Sequence, residues 1–223
     1  HFTTEWSKMG ESFNGIQTGF VTGKEQIDNI FRFLDVFQTN DTLLLVDPVM
    51  GDDGELYKMY TQALLERMKE LVKRANILTP NITECCLLTN SNYEKLHSYH
   101  DAKSFIQALE AIGQKLQQET NAQVIITGVH IPNNEPSEQT IGNLLIDYDE
   151  TFFSKQPYNG QSYSGTGDLF SAIVMGSVLR GQSLKAAIQL AESFISSAIH
   201  DTALHNTNPK AGVNFEKFLS MLL

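Results

Sequence analysis

Apolar residues recur along this chain in two rhythms. Ile27, Ile30, Phe31, Leu34 and Phe37 fall three or four apart, which places them on one stripe of a helix over 24–37. Leu64, Leu65, Met68, Leu71 and Val72 repeat that stripe, and Phe105, Leu109, Ile112 and Leu116 mark a longer helix over 98–118. Between them stand short apolar runs: IQTGF (16–20), TLLLVDPV (42–49), NILTP (76–80) and QVIITG (123–128). A Leu/Ile/Val run without polar alternation predicts a strand buried on both faces. Strands alternating with amphipathic helices predict a parallel sheet covered by helices on each side. The rhythm then changes. TIGNLLIDYDETFFSKQP (140–157) holds two extended runs around Asp149-Glu150, which predicts an antiparallel hairpin at one sheet edge. Helices are expected over 167–180, 184–200 and 214–222, and a helix before Ile16. PNNEPSEQ (132–139) reads as a loop, and no repeat or linker divides the 223 residues, so one domain over 1–223 is expected.

In such a sheet, ligands collect beyond the carboxyl ends of the strands. Thr18-Gly19, Asp47 to Asp52, Thr79 to Glu84 and Thr127-Gly128 all fall there. Four polar or glycine-bearing strand ends on one rim predict a binding site. The formal charge of −10 narrows its ligand, because nucleic acid and anionic membranes would be repelled. No apolar run reaches the ~20 residues of a membrane span, so a soluble protein is expected. The adjacent Cys85 and Cys86 cannot staple distant segments and read as reduced thiols on a helix, which fits a cytoplasmic location. The six histidines show no metal-ligand spacing.

Three stretches carry candidate chemistry. SGTGDLFSA (164–172) opens a helix with small residues, and exposed amides at a helix N-terminus attract anions. Here Asp168, itself an anion, follows Gly165, Thr166 and Gly167. A helix start capped by Thr166 or Asp168 explains the stretch about equally well. DPVMGDDGELY (47–57) sets Asp47 and Asp52 around a glycine turn after a buried strand, as hard oxygen donors for Mg²⁺ or as a solvated turn. LTPNITE (78–84) adds Glu84 one turn after Asn81, either facing the same rim or closing a capping box. Neither the P-loop motif nor the dinucleotide fingerprint occurs, which counts against both enzyme classes.

Together and in this order, DPVMGDDG, LTPNITE and SGTGDLFSA resemble the pyridoxal kinases of the ribokinase-like superfamily, from about Gly15 onward. DPVMG and TPN also occur in the related hydroxymethylpyrimidine kinases, whereas GTGD favours the pyridoxal branch. The resemblance implies a ribokinase-like three-layer α/β/α fold with a mostly parallel sheet and an antiparallel edge hairpin. It implies ATP-dependent phosphorylation of the 5′-hydroxymethyl of pyridoxal, pyridoxine or pyridoxamine. Asp168 matches the catalytic base, and the amides of Gly165, Thr166 and Gly167 the anion hole. Asp47, Asp52 and Glu84 match the acids that hold Mg²⁺ directly or through water. Asp47, Asn81, Thr127, Gly128, Tyr57 and Ser164 match nucleotide contacts, and Phe20 stands where relatives often carry a substrate-facing Tyr.

The resemblance further implies a homodimer that binds small molecules, ATP and a B6 vitamer. The family's first strand and lid segment have no counterpart before His1, which implies an N-terminally incomplete version of the fold. Two alternatives remain. One is a hydroxymethylpyrimidine kinase, and the other a non-catalytic nucleotide-binding or interaction protein descended from a kinase. Trp6 is assigned no site role.

Overall fold

In the computed structural model, which describes residues 2–132, 140–158, 160–205 and 207–223, the two rhythms become two kinds of layer. In chain order the elements are α1 (Phe2–Met9), β1 (Gly15–Thr18), α2 (Lys24–Phe37), β2 (Leu43–Val46), β3 (Gly51–Asp52), β4 (Glu55–Leu56) and α3 (Gln62–Val72). There follow β5 (Ile77–Leu78), α4 (Ile82–Thr89), α5 (Tyr93–His97), α6 (Ala102–Thr120), β6 (Gln123–His130) and β7 (Thr140–Ile146). The last are β8 (Thr151–Phe153), β9 (Gln156–Pro157), α7 (Thr166–Leu179) and α8 (Leu184–Leu204), then 3₁₀ turns at Pro209–Ala211 and Glu216–Leu222.

The main sheet runs β1-β2-β5-β6-β7-β8, with β9 also on β7. β1, β2, β5 and β6 pair in parallel, whereas β7 is antiparallel to β6, β8 and β9. Successive strand residues point to opposite faces, and the core divides accordingly. Leu44, Val46, Leu78, Val124, Ile126, Leu144 and Ile146 join the cluster under α2, α3, α4 and α6. Their neighbours Leu45, Ile77, Ile125 and Leu145 join Phe170, Val174, Ile188 and Phe194 of α7 and α8 on the other face. Both faces are buried, which is why these strands lack polar alternation. The three-layer α/β/α arrangement and its antiparallel edge are as expected.

The boundaries shift in physically simple ways. IQTGF gives only three residues, Ile16 to Thr18, to the strand Gly15–Thr18, and releases Gly19 and Phe20 to the rim. NILTP contributes two, since Pro80 has no N–H to donate to the ladder. The hairpin closes where Asp147 N donates to Glu150 O at 2.9 Å. The expected helix over 214–222 forms instead as a 3₁₀ segment, Glu216–Leu222. The expected loop at 132–139 lies outside the described residues beyond Pro132. Cys85 and Cys86 are buried and free on α4. Trp6 packs against Phe2, Phe13 and Phe33, with ring centroids 5.6 to 6.1 Å apart, so it fastens α1 to α2 and has no place at the rim.

Phe105 of α6 is fully buried in the larger cluster. Phe105→Ala is expected to lower unfolding stability by about 3–5 kcal/mol, through lost burial and the cavity left behind. Val36→Ala, half exposed on α2, should change it by less than about 0.5 kcal/mol. Urea denaturation of both variants measures the contrast.

Candidate active site

The strand ladders continue one or two residues past the strands and carry polar residues onto the rim. Asp47 N donates to Thr18 O at 2.9 Å, Thr79 N to Val46 O at 3.2 Å, and Thr127 N to Pro80 O at 2.9 Å. Asn81 and Thr127 form a further parallel bridge. Backbone pairing thus sets Thr18, Asp47, Thr79, Asn81 and Thr127 side by side.

Asp47 is 6% exposed. Burial pushes its carboxyl up to about 7 and the Asp168 carboxylate adds to the rise, while the neighbouring Thr79 side chain opposes it. Glu84 is 3% exposed and is raised to about 8, again mainly by burial. Amide donors at Asn81, Met50 and Gly51 pull it down, and Asp47 pushes it further up. Among the described ion pairs none involves either acid.

Glu84 does close a capping box on α4. Its Oε2 accepts Asn81 N at 2.7 Å, while Asn81 Oδ1 accepts Glu84 N at 2.9 Å. The other oxygen, Oε1, accepts Met50 N at 3.0 Å, and Asn81 Nδ2 donates to Gly51 O at 2.9 Å. Both carboxylate oxygens are therefore already engaged by amides. The same residues fix the root of a hairpin, β3 to β4, that the sequence reading missed. Its turn is Asp53-Gly54, with φ of +50° and +83°, and Asp-Gly is the usual signal for a turn with two positive φ angles. Gly51 can only be glycine, because a Cβ there would come within 2.2 Å of Glu55 O. Gly54 N is held by Thr83 Oγ1 at 2.9 Å.

The hairpin carries Asp52 into solvent and leads into Tyr57. Tyr57 N donates to Met50 O at 2.9 Å, and its ring stands edge-on to Phe20 with centroids 6.4 Å apart. Both rings are about two-fifths exposed, at 39% and 42%. Partial burial raises the Tyr57 phenol, and Asp52, Glu84, Asp47 and Asp53 add to the rise. Among the described residues, no three His, Cys, Asp or Glu groups converge closely enough to hold a metal ion by themselves. Asp47, Asp52 and Glu84 share a region but do not form a closed ligand set.

The start of α7 completes the rim. Its N-cap is Gly165, at φ +83°, and neither Thr166 nor Asp168 caps the helix. Thr166 Oγ1 donates instead to Tyr163 O at 3.1 Å, so the first-turn amides have no side-chain acceptor. Ser164 N is anchored to Pro209 O at 3.1 Å. Asp168 is exposed, and its Oδ1 lies 3.8 Å from where a Cβ on Gly19 would sit. The first turn is tied to β1 through Ser171, whose Oγ donates to Asp168 O and accepts from Gln17 Nε2. Gly128, at φ +64°, adopts a conformation that side chains resist.

The arrangement sets uncapped helix amides, an exposed carboxylate and two buried acids without counter-charge on one rim. An acid whose folded pKa exceeds its ordinary value makes the folded chain hold more protons than the unfolded one between those values. Stability is then full below the lower value and lost as pH rises through the upper. For Asp47 those limits are 3.8 and about 7. In metal-free buffer, Asp47→Asn should therefore gain urea midpoint relative to wild type as pH rises from about 4 to about 8. A constant difference across that range would contradict this electrostatic account.

Comparison with known proteins places these features in a family. Residues 9–214 match the family model for phosphomethylpyrimidine kinase. A hydroxymethylpyrimidine/phosphomethylpyrimidine kinase of Bacillus subtilis is 26% identical over 190 residues, covering 85% of this chain and 64% of the relative. A pyridoxal kinase of Dictyostelium discoideum is 27% identical over 95% of this chain and 72% of its own length. The crystal structure of pyridoxal kinase from Lactobacillus plantarum superposes with a TM-score of 0.83, at 27% identity, over 100% of this chain and 75% of that one. The match spans most of the chain, and the chain belongs to the phosphomethylpyrimidine kinase family, with the ribokinase-like fold.

Proposed function

We propose that this chain, as a single kinase domain over 1–223, transfers the γ-phosphoryl group of ATP to the 5′-hydroxymethyl of a B6 vitamer. The observation that carries the reading is the exposed Asp168 carboxylate beside the uncapped start of α7, coupled to buried Asp47 across the rim. Phosphoryl transfer asks a protein mainly for positioning and charge stabilisation. The amides of Gly165, Thr166 and Gly167 receive the transferring group, helped by the helix dipole. Asp168 accepts the alcohol proton as its oxygen bonds to the γ-phosphorus and the bond to the β-phosphate oxygen breaks, releasing ADP. Ser164, Asn81, Thr127 and Gly128 line the nucleotide phosphates. Phe20 and Tyr57 close over the heteroaromatic ring and the nucleotide.

The acids fit a divalent cation, because Asp47 is buried without a cationic partner and hard oxygen donors suit Mg²⁺. Asp47 would hold it, Asp52 would reach it from the hairpin, and Glu84, its oxygens already accepting amides, would act through water. When bound, Mg²⁺ supplies positive charge to the phosphates.

Hydroxymethylpyrimidine is the second reading, favoured by the family match and the Bacillus subtilis relative, and it uses the same chemistry on another alcohol. A homodimer belongs to the proposal by resemblance, and a cytoplasmic location by the free, buried thiols of Cys85 and Cys86. Among the described residues, no helix is long and apolar enough to cross a membrane. Asp168→Asn is expected to keep the fold and change the Kd for Mg²⁺–ATP by less than about 3-fold, while kcat falls by about 10²- to 10⁴-fold. Unchanged kcat would overturn the assignment. A coupled assay offering both alcohols reads the substrate, and no turnover with either would leave a non-catalytic binding protein.

A further inference from the structure

Two residues of β6, Thr127 and Gly128, face a single residue of β7. Pairing runs Ile126 with Leu144 and then Val129 with Gly142, leaving Asn143 alone opposite both. Such a bulge takes an amide out of the ladder and re-aims the residues that carry it. Both amides are nevertheless held, one from each side. Thr127 N donates to Pro80 O at 2.9 Å, and Gly128 N to Asn143 Oδ1 at 3.4 Å.

A side-chain amide can present either end, and here Glu192 of α8 decides which. Asn143 Nδ2 donates to Glu192 Oε1 at 2.6 Å, so Oδ1 must turn to Gly128. Ser154 Oγ donates to the same Glu192 oxygen, and Gln156 Nε2 to the other at 3.3 Å. Asn143, Ser154 and Glu192 are 9%, 5% and 7% exposed. Among the described ion pairs none involves Glu192. A buried carboxylate is costly, and a packed apolar side chain would fill the place without that cost. What the carboxylate adds is a fixed orientation for Asn143.

We infer that Glu192, acting through Asn143, is a positioning residue that sets the Thr127-Gly128 bulge against the nucleotide phosphates. The inference rests on the reading of that bulge as a nucleotide contact. It makes the affinity for a nucleoside triphosphate depend on α8 and on the β7 to β9 edge.

The test compares wild type, Glu192→Ala and Glu192→Gln by calorimetric binding of Mg²⁺–AMP-PNP, with steady-state kinetics in ATP and in the alcohol. Glu192→Ala should weaken nucleotide binding and raise KM for ATP by about 10-fold, leaving KM for the alcohol unchanged. Glu192→Gln, which can still accept from Asn143, should stay within about 2-fold of wild type. Should Glu192→Ala not fold, Ser154→Ala removes one donor and should weaken binding by about 3-fold. Wild-type affinity in the folded alanine variants, or equal losses for both substrates, would overturn the inference. Wild type that binds no nucleotide would overturn the kinase reading as well.

Discussion

Two carboxylates buried without counter-charge govern this rim. Asp47 ends a strand whose neighbours on both faces are apolar, and Glu84 sits beneath the first turn of α4. Each repels the other, and Asp168 adds to the strain on Asp47. Desolvation on this scale is tolerated only when something compensates it. Backbone amides do so for Glu84. For Asp47 the chain offers the nearby Thr79 side chain, and the remaining deficit is what a divalent cation would fill.

The fold makes that tension possible. A parallel sheet covered on both faces gives its strand ends a dry floor and a polar mouth. The same amide network that steadies Glu84 also roots the β3 to β4 hairpin and so places Tyr57 beside Phe20. Opposite, a glycine cap leaves the first-turn amides of α7 without a side-chain acceptor. Acids and helix amides without a side-chain acceptor thus share one rim.

Much of this was legible in the chain. Leu43 to Val46 announced a doubly buried strand because burial on two faces removes polar alternation, and the hairpin turn at Asp149-Glu150 followed from a change of rhythm. Asp47 was legible as a rim residue because it directly follows a strand, and Glu84 because it comes one turn after Asn81 at the next strand end. The β3 to β4 hairpin was legible too, in Asp53-Gly54, but a two-residue strand is too short to show a period. Local pattern left the start of α7 open, since a cap by Thr166 or Asp168 and an anion-binding start both call for small and polar residues there. The contact between Asn143 and Glu192, 49 residues apart, left no trace, because neither position belongs to a motif and only the bulge in β6 creates the need for it.

The central claim is that binding a metal-bound nucleotide relieves the buried acids by driving them to ionise. Calorimetry of preformed Mg²⁺–AMP-PNP at about pH 7.5, repeated in buffers of different ionisation enthalpy, counts the protons exchanged. With Asp47 at about 7 and Glu84 at about 8 in the free protein, release of roughly one proton in all is expected, about a quarter from Asp47 and about three-quarters from Glu84. Binding with no proton exchange, or with uptake, would contradict it.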